Sequence, residues 1–166
     1  MDGLSLRALE PEDLDLLVRW EADHADAGLR VSPYSRAVLS RYLEESHRDF
    51  WDAGQVRFVL CDPSGRAVGL FDLFNAQPVH QRAEVALLVD PSVRKQGLGK
   101  SGLLLLEQWA FGRVGLRSLY AEVFTDNAAA LRVFASSGYQ SAGVLKAWYR
   151  VGREFRDTEL FQRLRS

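Results

Sequence analysis

The segment Arg94-Lys95-Gln96-Gly97-Leu98-Gly99-Lys100 places three cations and two glycines within one short stretch. The apolar run Leu87-Leu88-Val89 precedes it and breaks at Asp90-Pro91, and a leucine-rich stretch follows from Leu98. Strand, tight loop and helix start in this order suit the binding of an anion. The first N–H groups of a helix have no intrahelical acceptor, and the helix dipole favours negative charge there. Glycines let the backbone come close to a phosphate, and Arg94, Lys95 and Lys100 add charge. A lone pair of glycines reads equally well as a surface turn. The flanking elements and the three cations favour the anion site.

Other phosphate loops fit less well. A P-loop needs four residues between its glycines and a Lys-Ser/Thr pair, which this stretch lacks. A dinucleotide fingerprint needs a third glycine, and Gly97-x-Gly99-x-x-Gly102 satisfies it formally. The acidic residue expected about 20 positions later is met only by Glu122, in the middle of the run Tyr120-Ala121-Glu122-Val123.

Among residues fit for proton transfer, Glu84 stands out. It opens the otherwise apolar run Ala83 to Val89 that leads to the glycine loop. A carboxylate at the edge of an apolar pocket has a raised pKa, which suits a general base near neutrality. A solvated glutamate at a strand end is the competing reading. Asp72, Glu122 and His80 are lesser candidates. Cys61 reads as a small buried hydrophobe, not a nucleophile.

The elements that must position these groups follow from periodicity. Leu4–Leu9 alternates as a strand. Pro11 with Glu12 and Asp13 marks a helix start, and the helix extends to about Asp23. Gly28 to Pro33 reads as loop. Ser35 caps a second helix that reaches about Trp51. Gln55–Cys61 and Ala67–Phe74 form a hairpin across Asp62-Pro63-Ser64-Gly65. Ala83–Val89 is a strand buried on both faces. A helix over Gly97–Phe111, a strand over Ser118–Phe124 and a helix from Thr125 or Asp126 to Ser136 come next, with Gly138 ending the last helix. Strands Tyr139–Tyr149 and Glu154–Gln162 flank the turn Val151-Gly152-Arg153.

Totals bound the rest. The 166 residues suit one domain, residues 1–166, and 47% of them are hydrophobic. Lys and Arg number 21 against 22 Asp and Glu, a net charge of −1 that gives no footprint for nucleic acid. One cysteine, and three histidines without ligand spacing, point to no disulfide and no metal. No leader and no membrane span is visible, which suggests a cytoplasmic protein.

The loop, the element order and a second motif together resemble the GNAT acetyltransferase superfamily. The pattern Gln/Arg-x-x-Gly-x-Gly/Ala is met by Arg94-Lys95-Gln96-Gly97-Leu98-Gly99. Asn127 opens the next helix, and Gly138-Tyr139 follows it. Trp148, Gly152 and Asp157 are similar to the branch of spermidine/diamine and ribosomal-protein alanine acetyltransferases. The resemblance implies an α/β fold: a mixed, mostly antiparallel, seven-stranded sheet with four helices on both faces and strands 83–89 and 118–124 splayed apart. It implies transfer of acetyl from acetyl-CoA directly to a primary amine of a polyamine, an amino sugar or amino acid, or a peptide N-terminus. An acyl-CoA-binding module without turnover and a dinucleotide-binding redox domain are the alternatives.

The resemblance also implies residue roles. Backbone N–H groups of Lys95, Gln96, Gly97, Leu98, Gly99 and Lys100, beside Arg94, would hold the pyrophosphate. Leu88 and Val89 would pair with the pantetheine arm as an added strand does. Asn127 would bond the arm, although local helix capping explains it as well. Glu84 would be the base. Relatives often carry a proton-donating tyrosine where this chain has Phe134, which can pack against the cofactor but cannot donate; water, the product ammonium, Tyr149 or Tyr139 would serve instead. The acceptor pocket is expected between the first two helices and the C-terminal hairpin, with Phe71, Asp72 and Tyr149 touching substrate and Trp51, Phe74 and Trp148 shaping it. The acid-rich stretch Glu44 to Asp52 reads as a solvated helix face. Relatives commonly form homodimers, and exposed sheet edges invite this.

Overall fold

Seven extended segments pair edge to edge in the computed structural model, which describes residues 3–25, 34–46 and 48–165. They are β1 (Ser5–Ala8), β2 (Val56–Cys61), β3 (Ala67–Gln77), β4 (Arg82–Val89), β5 (Ser118–Phe124), β6 (Gln140–Val151) and β7 (Glu154–Leu164). Their order across the sheet is β1-β2-β3-β4-β5-β7-β6. Every neighbouring pair is antiparallel except β4 and β5. The strand count, the mixed sheet and the helices on both faces agree with the expectation from sequence.

The helices are α1 (Leu14–Ala25), α2 (Arg36–Glu45), α3 (Phe50–Ala53), α4 (Leu98–Glu107) and α5 (Ala128–Ser136). α1 and α2 cover one face. Their Leu17, Trp20, Leu39 and Leu43 meet Val59, Cys61 and Leu70 of the sheet. α4 and α5 cover the other face, where Leu103, Leu106 and Phe134 join Phe71, Leu73, Val85, Leu119 and Phe161. Cys61 is free and buried, as its sequence context suggests. No helix among the described residues is long and apolar enough to cross a membrane.

Several boundaries differ from the sequence reading, three of them for a local reason. Pro11–Asp13 forms a 3-10 turn before α1, tied down because Asp13 accepts the Glu10 N–H at 2.9 Å and pairs with Arg7. The second helix stops at Glu45, where the Ser46 hydroxyl donates to the Leu43 carbonyl at 2.6 Å. Asp49 then caps the separate helix α3 by accepting the Trp51 N–H, so side-chain-to-backbone bonds break one expected helix into two. His47 and the loop expected at Gly28 to Pro33 lie outside the described residues. β3 runs on to Gln77 through a bulge at Asn75. α4 continues as a π-helical segment over Gln108–Val114.

Gly102 explains one close packing. A methyl group built there would overlap the Phe71 ring, which is fully buried beneath α4. Replacing Gly102 with Ala is expected to destabilise the fold by about 1–3 kcal/mol through overpacking. Adding Phe71→Leu should recover most of the loss, and thermal denaturation of the single and double variants measures both.

Candidate active site

Parallel pairing of β4 with β5 covers three registers, Arg82↔Ser118, Ala83↔Leu119 and Glu84↔Tyr120, and then stops. β4 continues to Val89 and β5 to Phe124 with no partner between them. The expected splay is therefore present, and it begins at Glu84. The Leu88 carbonyl faces Gly69 of β3, so strand alternation turns the backbone groups of Leu87 and Val89 toward the open slot. The free edge is therefore that of Leu87 and Val89, whereas the Leu88 backbone named from sequence is turned to β3. The Val89 carbonyl already accepts Arg94 Nε at 3.1 Å.

The glycine loop lies at the end of the slot. Asp90 caps the 3-10 turn Pro91–Val93 by accepting the Ser92 N–H at 2.9 Å. The chain then enters left-handed conformations at Lys95 (φ 64°) and Gly97 (φ 79°). The first bond of α4 runs from the Ser101 N–H to the Gly97 carbonyl, so the N–H groups of Leu98, Gly99 and Lys100 have no helical acceptor. No side chain caps this end. Lys95 and Lys100 are exposed beside it. Uncapped donors with two exposed cations are what a pyrophosphate requires. The two glycines do different jobs: Gly97 supplies its backbone angle, while Gly99 lets α4 pack on Val133 of α5.

Glu84 is buried. Asn75 Nδ2 donates to it at 2.8 Å, and it also shares a hydrogen bond with Tyr120. Burial pushes its carboxyl above the ordinary glutamate range, and the nearby Glu122 adds to this; the bonds from Asn75 and Tyr120 pull the other way. The positive φ of Asn75 at the β3 bulge belongs to this contact, and no sequence pattern signals it.

Two groups of polar side chains flank Glu84 on the α1/α2 face. On the β3 side is a cavity of about 510 Å³ lined by Tyr34, Tyr42, Arg57, Asp72, Phe74 and Ala86 among others. Asp72 opposes Ala86, and Phe74 opposes Glu84. Arg57 fills the wall: Nε and NH2 grip both Asp72 oxygens at 2.6–3.0 Å, NH1 donates to Glu21 at 3.0 Å, and the guanidinium stands 5.3 Å from the Tyr42 ring. Burial works against its charge, but Asp72 outweighs that and holds the Arg57 proton more tightly than usual. On the β5 side, Glu122 accepts Trp148 Nε1 at 2.9 Å and the Tyr149 hydroxyl at 2.7 Å.

Several expected roles are corrected by this geometry. Phe71 is buried and cannot line a substrate pocket. Phe134 is buried against Tyr139 and Phe161, so it has no surface for a cofactor. Tyr139 lies in the same core beside Glu107, away from the slot. Asp72 does line the cavity, but its carboxylate is ion-paired with Arg57, which removes it as a base. Asn127 caps α5 by accepting the Ala130 N–H at 3.1 Å, and its amide nitrogen makes no hydrogen bond among the described residues. Gly138 makes room for Arg163, which donates to the Ser137 carbonyl. The cavity is lined by α2, β2, β3 and β4, while the C-terminal hairpin reaches Glu122 on the other side of Glu84. Among the described residues, no group of His, Cys, Asp and Glu side chains has a metal-binding arrangement.

Comparison with known proteins gives the same picture. The family described as "Acetyltransferase (GNAT) domain" matches residues 4–140. Spermidine N(1)-acetyltransferase of Escherichia coli (strain K12) is 28% identical over 159 residues, covering 93% of this chain and 82% of that protein. N-alpha-acetyltransferase RimI of Mycobacterium tuberculosis is 30% identical over 149 residues, covering 86% and 87%. The spermidine N-acetyltransferase of Vibrio cholerae, solved in complex with CoA and spermine, superposes with a TM-score of 0.88 at 22% identity over 99% of this chain and 96% of that one.

The Arg57 cluster carries its own prediction. Arg57→Met would leave Glu21 and Asp72 without their shared cation, a loss of about 3–5 kcal/mol for a buried pair. Both carboxyls would then rise in pKa and protonate more readily in acid. The destabilisation measured by denaturant unfolding should therefore be larger at pH 7.5 than at pH 5.

Proposed function

Because the chain belongs to the GNAT acetyltransferase family, we propose that it transfers acetyl from acetyl-CoA to a primary amine, a polyamine first among the candidates. The observation that carries this reading is the slot that begins at Glu84 and ends at the uncapped start of α4. The spermidine acetyltransferases among the relatives support the polyamine class. The single buried cysteine supports a cytoplasmic setting, and the exposed edge strand β6 supports self-association.

Acetyl-CoA supplies the thioester. The N–H groups of Leu98, Gly99 and Lys100, with Lys95 and Lys100 side chains, hold its pyrophosphate. The free edge at Leu87 and Val89 pairs with the amide-bearing arm, as a sheet edge pairs with an added strand. The amide nitrogen of Asn127 is available to the same arm. Glu84 takes the proton from the acceptor ammonium, and Asn75 and Tyr120 hold its carboxylate in place. The freed amine forms the N–C bond as the C–S bond breaks, and its second proton goes to the sulfur. A thiol's ordinary pKa of about 8.5 makes thiolate a good leaving group, so Phe134 in place of a tyrosine does not block transfer. Tyr149 is a poor acid, because burial and Glu122 raise its pKa well above the usual tyrosine value.

Two variants test the two halves of the site. Gly97 has open space around it, and aspartate tolerates its left-handed backbone better than most residues. Gly97→Asp should weaken acetyl-CoA binding at least tenfold by calorimetry while keeping the circular dichroism spectrum; unchanged affinity would remove the loop from the reading. For Glu84, the base form exists only above its pKa, so kcat/KM should rise with pH on a limb displaced upward from ordinary glutamate. Glu84→Gln should abolish that limb and lower kcat by about 10²–10⁴. A variant that keeps the limb would remove Glu84 as base.

A further inference from the structure

The two sides of Glu84 differ in how their carboxylates are engaged. On the β3 side, Arg57 stands in the cavity wall, and its guanidinium is bound to Glu21 and Asp72. A second ammonium entering there finds both carboxylates already engaged by a cation. On the β5 side the wall is Glu122. Trp148 Nε1 and the Tyr149 hydroxyl both donate to the same oxygen, Oε2. Oε1 makes no hydrogen bond among the described residues and is available to a ligand cation.

The aromatic pair is held there by construction. β6 bulges between Leu145 and Tyr149, opposite Asp157 of β7. Asp157 accepts the Ala147 N–H at 2.8 Å and Lys146 Nζ at 2.8 Å, and Ala147 takes a left-handed φ of 48°. The bulge carries Trp148 and Tyr149 across β7 to Glu122 on β5. Tyr149 also packs edge-on against Phe124, with ring centroids 5.8 Å apart. Trp148 nonetheless stays 52% exposed and Tyr149 37% exposed. Aromatic faces beside a carboxylate make a favourable environment for an ammonium.

Spacing adds a constraint. Glu84 pairs with Tyr120, and Glu122 lies two residues further along β5. Adjacent-strand and along-strand spacings put the two glutamate Cα atoms at least about 8 Å apart, since the strands part beyond Glu84. Both side chains lie on the same face of the sheet, near enough for Glu122 to raise the Glu84 pKa, a spacing that two nitrogens separated by three or four methylenes can bridge.

We propose that Glu122, flanked by Trp148 and Tyr149, is the specificity residue that binds the second ammonium of a diamine or polyamine whose first nitrogen reacts at Glu84. This rests on the amine acetyltransferase reading above. It adds the direction of the acceptor, along β5 toward the hairpin and away from the Arg57 cavity, and it makes the second charge a requirement.

The test compares 1,4-diaminobutane with n-pentylamine, which has the same length and one charge fewer. The wild-type enzyme with acetyl-CoA should favour the diamine by at least tenfold in kcat/KM, equivalent to about 1.4 kcal/mol. Glu122→Gln keeps an oxygen for Trp148 and Tyr149 but loses the charge, and the preference should fall to within threefold of unity. A wild-type preference below threefold would overturn the proposal. So would a tenfold preference retained in Glu122→Gln, which would place the second nitrogen elsewhere, as in the β3-side cavity. If neither amine is acetylated, the transferase reading fails on its own; calorimetry of both amines against the CoA-saturated protein and its Glu122→Gln variant then judges the subsite by the same ratios in Kd.

Discussion

β4 and β5 hold together for three residue pairs and then part, and the site depends on that parting. A sheet that stayed paired to Val89 and Phe124 would satisfy its own backbone and offer nothing to a ligand. Because pairing stops at Glu84 and Tyr120, two strand edges with unsatisfied amide groups face each other across a slot. The same point fixes Glu84: it is the last paired residue, anchored by the sheet and facing the opening. The glycine loop follows from the same strand, so one continuous segment carries the buried Glu84, the free edge and the uncapped start of α4.

Packing explains why the glycines of the loop are not interchangeable. Gly97 is needed for its backbone angle, Gly99 for the approach of α4 to α5, and Gly102 for the Phe71 ring. The string that formally resembles a dinucleotide fingerprint thus owes its third glycine to the core. Similarly, Gly138 is where the last turn of α5 leaves space for Arg163 of β7, and Tyr139 closes the core beside Phe134 and Phe161. The second motif of the chain is largely a device for seating α5, and its one polar end, Asn127, follows directly on the end of β5.

Charge is distributed with equal consequence. The near-neutral total conceals a centre with a guanidinium held by two carboxylates on one side of Glu84 and a carboxylate held by two aromatic donors on the other. Burial makes each of these groups sensitive to its neighbours: Arg57 keeps its proton because Asp72 and Glu21 surround it, while Glu84 is pushed toward its neutral form. The centre therefore sets a desolvated carboxyl between two groups whose charges are already partnered in different ways.

The sequence determined the elements whose cause is local. Alternation gave the strands, Pro11 and Ser35 marked helix starts, and the loop from Arg94 to Lys100 declared an anion site, because these signals act within a turn or two of the chain. Asp13, Ser46 and Asn75 moved boundaries by bonds too particular for a pattern to reveal. What tertiary structure decided were relations between residues far apart in the chain. Phe71 and Phe134 turned inward because helices α4 and α5 cover that face of the sheet. Asp72 was claimed by Arg57, fifteen residues away on the neighbouring strand. Tyr149 reached Glu122 because a bulge in β6 carries it over β7. An aromatic or acidic residue has the same sequence character in a core, an ion pair or a pocket; only the strand register and the helices packed above it settle which groups meet.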